Sequence, residues 1–165
     1  MEHTDNNEYI SAGLLALYFR EAGYKSDALS QYHYLTKDRD HCQEFVQKID
    51  AGLEDGSTRD IFIHECHHKN GGFGLTQVWS IHECESFYDF AQEWGTSIAD
   101  AEMQCAWSVH MLKTAYPKIW NQLLEVTKPR TAGYLIAIWL DGASDTGQGV
   151  ISDKAVQLHK KYGAQ

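Results

Sequence analysis

The sequence predicts an α+β protein that is mostly α-helical and has one small β-hairpin. Over most of the chain, apolar residues recur every three or four positions, which is the period of a helix face. Two short runs, "IFI" at 61–63 and "GLTQVW" at 74–79, have the composition of strands, and "HHKNGG" between them is typical of a turn. We expect one domain over residues 9–165, preceded by a flexible N-terminus over residues 1–8.

The first helix is predicted over "YISAGLLALYFREAG", residues 9–23, with Gly23 as its stop signal. Ile10, Leu14 and Leu17 form one face of this helix, and Glu21 lies on the same face in the last turn. Burial and the negative end of the helix dipole both favour an uncharged carboxyl group. We therefore expect Glu21 to keep its proton near neutral pH.

Further helices are predicted along the rest of the chain. The stretch "DRDHCQEFVQKIDAG" (38–52) places its apolar residues on one face, and the chain after about residue 84 is helical in pattern throughout. Ser97, with Asp100 three residues later, is the expected N-cap of one of these later helices. Pro117 is expected in the first turn of the next.

Length and composition limit the functional classes. The 165 residues, 43% hydrophobic and 22% charged, are ordinary for a soluble globular domain. The formal net charge of −9 argues against nucleic-acid binding, which depends on Lys and Arg neutralising phosphates. The four cysteines include no C-x-x-C pair, so we expect reduced, mostly buried thiols.

Neither a secretory signal nor a membrane span is expected from the sequence. The beginning, "MEHTDNNEYI", is acidic and polar, whereas a signal peptide begins with basic residues and continues with an apolar run. The longest apolar stretch, "YLIAIWL" at 134–140, is too short to cross a bilayer.

The segment "HECHH" has the His-Glu-x-x-His spacing of zinc peptidases, in which His64 and His68 would bind the metal and Glu65 would be the base. That geometry needs a helix, and the strand-like residues before the segment and the glycines after it oppose one. In a strand, His64, Cys66 and His68 would share one face. These three could bind a metal, with His82 or Cys84, but not in a peptidase geometry.

The order of two segments carries a resemblance to a known family. "AGLLALYFREAG" followed some fifty residues later by "NGGFGLTQVW" resembles the phage tail lysozymes, and "GFGLTQV" itself is similar to goose-type lysozymes. The later stretch "FYDFAQEWGTSIADAEMQCAWSVHMLKTAYPKIWNQL" and the ending "DKAVQLHKKYG" are also similar to the tail lysozymes. The resemblance covers most of the chain from about residue 9 and implies a lysozyme-like fold.

The activity implied by this resemblance is hydrolysis of the β-1,4 bond between N-acetylmuramic acid and N-acetylglucosamine in peptidoglycan. Such a muramidase needs one carboxyl group that remains protonated, and we expect Glu21 to be this general acid. Glu65 or Asp60 is the expected activator of water. Neither a metal nor another cofactor is required.

The expected substrate-binding residues lie mainly in and after the glycine-rich turn. Glycines allow the backbone to approach a sugar closely, alternation places Gln77 on the face of Leu75 and Trp79, and exposed aromatic rings can meet a sugar face. The expected set is Gly72, Phe73, Gly74, Gln77, Trp79 and Tyr134.

The sequence departs from the family at positions that bear on activity. Ala22 follows the presumed acid where the family usually has Ser, and residues 64–70 replace a region that commonly carries a water-activating Asp. A catalytically inactive peptidoglycan-binding module is therefore an alternative, and a zinc peptidase using His64, Glu65 and His68 is a third. The expected partners are the glycan chain and proteins of a phage tail or virion, with the protein in the virion, or in the host cytoplasm before release.

Overall fold

The structure, a computed structural model, describes residues 7–29, 39–69, 71–141 and 145–163. These residues form eight α-helices, one π-helical turn and one isolated β-bridge. The helices are α1 (Glu8–Ala22), α2 (Arg39–Asp50), α3 (Arg59–Ile63), α4 (Ile81–Trp94), α5 (Ala101–Thr114), α6 (Pro117–Leu124), α7 (Pro129–Asp141) and α8 (Asp145–Tyr162), and the π-helical turn is His64–His68.

The expected bounds of the first helix are confirmed within one residue. The Asn7 side chain caps α1 by accepting hydrogen bonds from the Tyr9 and Ile10 backbone N–H groups at 3.0 and 3.2 Å. The chain leaves the helix at Gly23, whose φ is 56°, and Tyr24 follows with a φ of 66°. Gly23 is therefore the stop signal that the sequence predicts.

The chain divides into two compact units. Unit 1 comprises residues 1–20 and 108–165, and unit 2 comprises residues 21–107. The single domain over 9–165 and the flexible N-terminus remain predictions, and residues 1–6 lie outside the described residues. No helix in the described parts of the chain has the length and apolar character needed to span a membrane.

The core of unit 2 is an aromatic cluster. The Phe62 and Phe87 rings stack at a centroid distance of 5.6 Å, and Phe87 meets Trp107 edge to face at 5.2 Å. Phe73 packs on Phe62 and Phe87 at 5.6 and 5.9 Å. Each of these side chains is buried and contributes about 1.5–3 kcal/mol of hydrophobic stabilisation. The cluster joins α3, α4, α5 and the segment around Phe73.

The strand expected at 61–63 is wrong, because "IFI" belongs to α3, which the π-helical turn then continues. The pattern of burial gives the reason. Phe62, Ile63 and Cys66 are buried while Asp60 and His64 are exposed, which is the one-sided burial of a helix, whereas a strand would place Phe62 and Ile63 on opposite faces.

The hairpin is reduced to one antiparallel bridge between Phe73 and Val78. The Phe73 N–H donates to the Val78 carbonyl at 3.1 Å, and the Val78 N–H donates to the Phe73 carbonyl at 2.9 Å. Residues 74–77 form the turn, with Gly74 and Gln77 at φ values of 74° and 53°. The described residues are therefore mostly α-helical, as predicted, without the two predicted strands.

The caps of the later helices confirm one prediction and correct another. Pro117 occupies the first turn of α6, as expected. Ser97 is not the N-cap of α5, because the Asp100 carboxylate accepts the hydrogen bond from the Met103 backbone N–H at 2.7 Å, and the helix begins at Ala101. Ser97 instead accepts a hydrogen bond from the Ala99 N–H in the preceding turn. Asp and Ser are equally good N-caps, so the sequence alone did not decide between Ser97 and Asp100.

In unit 1, α7 and α8 pack closely along a line of small residues. A Cβ atom on Gly133 would lie 2.9 Å from the Ser152 Cα and 3.0 Å from the Ala155 Cβ. Ala132, Ile151 and Ala155 are buried at this contact. Gly133 therefore allows the two helix backbones to approach each other.

Candidate functional site

The candidate site is built around residues 71–78, which we call the glycine loop. All eight residues are buried. The Gly71 and Gly72 N–H groups donate to the Cys66 carbonyl at 3.0 and 3.3 Å, and the Phe73–Val78 bridge closes the other end. Gly72 and Gly74 have φ values of 36° and 74°, which favour glycine. The loop is thus held in one shape by its own backbone.

The segment that follows Glu21 is hydrogen-bonded to the glycine loop. The Ala28 carbonyl accepts the Gly74 backbone N–H at 2.8 Å and the Gln77 Nε2 at 3.2 Å. Between Glu21 and Ala28 the chain makes two successive turns. The Lys25 N–H donates to the Ala22 carbonyl, and the Ala28 N–H donates to the Lys25 carbonyl. The end of α1 is therefore anchored to the glycine loop through seven residues.

Gln104 on α5 holds the same two segments together. Its Nε2 donates to the Ser26 carbonyl at 2.8 Å and the Ile98 carbonyl at 2.6 Å, while its Oε1 accepts the Leu75 N–H at 2.8 Å. The side chain is 1% exposed. No role for Gln104 is predicted from the sequence. The one signal that pointed to this residue was the similarity of its helix to a glutamine-bearing helix of the tail lysozymes.

Glu21 lies in the last turn of α1 and is partly buried. It belongs to unit 2, together with the glycine loop. The neighbouring Ala22 is 2% exposed, whereas Arg20 is exposed. Glu21 is therefore at the margin of the packed interior, and its protonation near neutral pH stays a prediction.

The two carboxylates expected to activate water lie outside the hydrogen-bond network of the glycine loop. The Glu65 Oε1 accepts a hydrogen bond from the Lys69 Nζ at 2.7 Å, one turn along the chain. Asp60 is exposed in the first turn of α3. Neither side chain is fixed toward the Ala28 anchor, so their catalytic role stays a prediction.

Gln77 is a buried residue of the turn, and the predicted alternation with Leu75 and Trp79 is wrong. Leu75 and Gln77 are 4% and 6% exposed, whereas Trp79 is 57% exposed. The reason is that residues 74–77 turn instead of extending. The Gln77 Nε2 also donates to the Gly74 carbonyl at 2.9 Å, and its Oε1 is buried without a hydrogen-bond partner among the described residues. This oxygen is 3.1 Å from the position of a Cβ on Gly72.

The two aromatic residues of this region have different environments. Phe73 is 0% exposed, and its ring belongs to the aromatic core. Trp79 presents its indole to solvent directly after the loop, and its carbonyl accepts a hydrogen bond from the His67 Nδ1 at 2.9 Å. Trp79 is thus the aromatic ring of this region that can meet a sugar face.

Tyr134, the remaining candidate, belongs to unit 1. It is 45% exposed and lines a cavity of about 410 Å³, which we call the Tyr134 cavity. Its lining residues on α7 and α8 are Arg130, Thr131, Tyr134, Gln148, Gly149 and Ser152. Arg130 is paired with Asp153 at 2.5 Å. Four of the six lining residues, Thr131, Tyr134, Gln148 and Ser152, have uncharged side chains that can form hydrogen bonds.

The histidine-rich segment forms the π-helical turn, so the expected strand face of His64, Cys66 and His68 is wrong. His64 and His68 are exposed, whereas Cys66 is fully buried. Burial raises the pKa of the Cys66 thiol well above its usual range, and a thiol hydrogen bond with Cys84 adds to this effect. Cys66 is consequently a core residue.

The zinc-peptidase arrangement lacks a third protein ligand in the part of the chain that the structure describes. No group of three or more His, Cys, Asp or Glu side chains is arranged there to hold a metal ion. The His82 side chain is 92% exposed and lies beside Glu85 at 3.6 Å. Glu65, the expected base, is bound to Lys69.

No family model, curated protein or solved structure matches the chain.

Proposed function

We propose that the protein is a peptidoglycan hydrolase, a muramidase of lysozyme-like fold, in which Glu21 is the general acid. It cleaves the β-1,4 bond between N-acetylmuramic acid and N-acetylglucosamine. The resemblance to the phage tail lysozymes supplies the reaction, and the geometry of unit 2 supplies the support for it.

The observation that carries the proposal is the double hydrogen bond at the Ala28 carbonyl. It attaches the segment that follows Glu21 to Gly74 and Gln77 of the glycine loop. Gln104 reinforces this attachment through Ser26 and Leu75. The residues that directly follow the first segment of the resemblance are therefore hydrogen-bonded to the second segment, within unit 2.

The partial burial of Glu21 suits the chemistry of glycoside cleavage. The acid must donate a proton to the leaving oxygen, and a carboxyl group keeps its proton more readily where water is scarce. In an inverting mechanism, a second carboxylate about 6.5–9.5 Å away activates water. Glu65 could take this role only after its carboxylate leaves Lys69.

The glycan-binding surface that we propose centres on the glycine loop and Trp79. The Trp79 indole offers an apolar face of the kind that sugars meet. Gly72 and Gly74 are buried and would contribute by shaping the backbone beside it. The Gln77 Oε1 is a buried acceptor, and it would accept an N-acetyl N–H group only after the loop opens. Tyr134 would contribute a separate contact in unit 1.

The charge of the chain bears on how the enzyme reaches its substrate. A net charge of −9 gives no electrostatic attraction to an anionic cell wall. Delivery by a phage tail or virion removes the need for such attraction. We therefore propose virion proteins as partners.

The test is release of reducing sugar from purified peptidoglycan, with mass analysis of the products, by the wild type and by Glu21→Gln. We expect the variant to lose about 10²- to 10⁴-fold of the rate, the usual contribution of general acid catalysis. Glu44→Gln, an exposed substitution of the same kind on α2, is the matched control and should retain the wild-type rate. Circular dichroism and the melting temperature check the fold of both variants. A wild-type rate in Glu21→Gln would contradict the proposal.

A second candidate is an inactive wall-binding module, which is favoured by the Glu65–Lys69 hydrogen bond and by the exposure of Asp60. With neither carboxylate directed to the loop, binding could occur without hydrolysis. In that case peptidoglycan retains the protein in a pull-down, and neither the wild type nor Glu21→Gln releases reducing sugar. The same assay therefore separates the two candidates.

A further inference from the structure

The π-helical turn at His64–His68 has a geometry that the muramidase proposal leaves unused. His64 and His68 are four residues apart, and both are exposed. Their ring centroids are 5.6 Å apart. Two imidazoles on one tetrahedral zinc ion, with zinc–nitrogen bonds of 2.0–2.1 Å, have ring centroids about 5–5.5 Å apart. A small rotation of the His64 side chain would bring this pair to the bonding distance.

The surroundings of the pair favour a metal-binding arrangement. The Lys69 N–H donates to the His64 carbonyl and closes the π-helical turn. Turns of this kind occur frequently at functional sites. The His67 ring contacts His68 edge to face at a centroid distance of 4.8 Å, and the His67 Nδ1 is held by the Trp79 carbonyl. His67 therefore restricts the rotation of the His68 ring.

We propose that His64 and His68 form a two-histidine binding site for a divalent transition-metal ion such as zinc. The inference is independent of the muramidase activity. Imidazole nitrogen suits zinc, copper and nickel, whereas calcium and magnesium require oxygen ligands. The remaining coordination positions are taken by water or by a ligand from another molecule. Because Glu65 is bound to Lys69 and the described residues supply no third protein ligand, the site binds metal without the arrangement of a peptidase.

The experiment is calorimetric titration with zinc chloride, repeated with cobalt(II) to record the absorption of the bound ion. Every sample carries His3→Ala and Cys105→Ser, so that neither the histidine near the amino terminus nor the half-buried thiol contributes. We expect one zinc ion per chain. His64→Ala and His68→Ala should each weaken zinc binding at least about tenfold, because losing even a group that only orients a metal ligand weakens binding about 10- to 100-fold. Magnesium and calcium should give no heat of binding.

His82→Ala is the matched control, because it removes a highly exposed histidine outside the pair. We expect its zinc affinity to remain within about twofold of the background protein, well below the change for a ligand. Zinc should also raise the melting temperature of the background protein and of His82→Ala, but not of His64→Ala. Undiminished zinc binding in either His64→Ala or His68→Ala, or an equal loss in His82→Ala, would overturn the proposal.

Discussion

In the glycine loop of unit 2 and in the Tyr134 cavity of unit 1, a glycine lies near a buried glutamine. The two glycines differ in backbone conformation and in the space beside them. Gly74 has a φ of 74°, and a Cβ there would lie 2.6 Å from the Gln104 Oε1. Gly149 is helical, and a Cβ there would meet no atom within 4 Å. Gly74 is therefore required by conformation and packing, whereas Gly149 leaves space open.

Because of this difference, substitutions in the two regions should have different effects on the free energy of unfolding. The glycine loop is closed by hydrogen bonds that its N–H groups donate to Cys66, Ala28 and Gln104, so substitutions there should lower the free energy of unfolding. The Tyr134 cavity is open at Gly149, so a side chain there should occupy volume without disturbing the fold.

The largest loss of stability is expected for Gln104→Leu. The apolar side chain is of similar size, but it leaves the Leu75 N–H and the Ser26 and Ile98 carbonyls without their partner. Buried polar groups left in this way should together lower the free energy of unfolding by about 2–4 kcal/mol. Urea denaturation of the wild type and the variant measures this difference.

Gln92→Leu is the matched control for Gln104→Leu. Gln92 donates one exposed hydrogen bond to the Glu54 carbonyl, at 3.0 Å. Its loss should lower the free energy of unfolding by no more than about 1 kcal/mol. Equal losses in the two variants would contradict the role given to Gln104.

A smaller loss is expected for Gly74→Ala, at about 2 kcal/mol, because a left-handed conformation disfavours Ala and the new methyl group displaces Gln104. Gly95→Ala separates these two contributions. Gly95 has nearly the same φ, 75°, but a Cβ there meets no atom within 4 Å. It should therefore lose only the conformational part, about 1 kcal/mol. Chemical denaturation that gives Gly74→Ala the smaller loss of the two would count against a tightly packed loop.

The helices were predictable because their signals are local. The apolar face and Gly23 fixed α1, and Pro117 fixed the start of α6. The run "IFI" was misassigned because a short apolar run fits a buried strand and a buried helix equally well. The structure shows a helix, because the buried residues around this run lie on one side of it.

The candidate site was predictable only in part. The need for glycine at 72 and 74 follows from the turn that the sequence indicates, and both have positive φ values. The role of Gln104 depends on hydrogen bonds to residues up to 78 positions away, which no local pattern records. The position of Gln77 was misjudged because alternation applies to strands, and this segment turns.

The burial of Cys66, which holds one end of the glycine loop, should also affect how the free energy of unfolding depends on pH. The Cys66 carbonyl accepts the loop's first two hydrogen bonds, and burial raises the pKa of the Cys66 thiol. Above about pH 8.5 an unfolded cysteine loses its proton while the folded Cys66 retains it. The free energy of unfolding should therefore decrease as pH rises from about 8.5 toward the raised pKa of the folded state.

Urea denaturation between pH 7.5 and 10 measures this decrease. Lysines and tyrosines also titrate in the upper part of that range, so the wild type is compared with Cys66→Ala, which lacks the thiol. The slope of stability against pH should be less negative in Cys66→Ala. Parallel slopes would mean that water reaches Cys66 in the folded protein, and the loop would then be more open than its hydrogen bonds indicate.

The smallest expected effect tests the open region directly, through two glycines on facing helices of unit 1. Gly149→Ala should raise the free energy of unfolding by about 0.5–1 kcal/mol, because Ala favours a helix over Gly and its methyl group enters open space. Gly133→Ala gains the same helix preference, but its methyl group would lie 2.9 Å from the Ser152 Cα and 3.1 Å from the Ile151 carbonyl oxygen. Since backbone atoms cannot move aside as a side-chain tip can, Gly133→Ala should be less stable than the wild type. Denaturation curves that shift both variants in the same direction would remove the distinction between a glycine that packs two helices and a glycine that leaves a cavity.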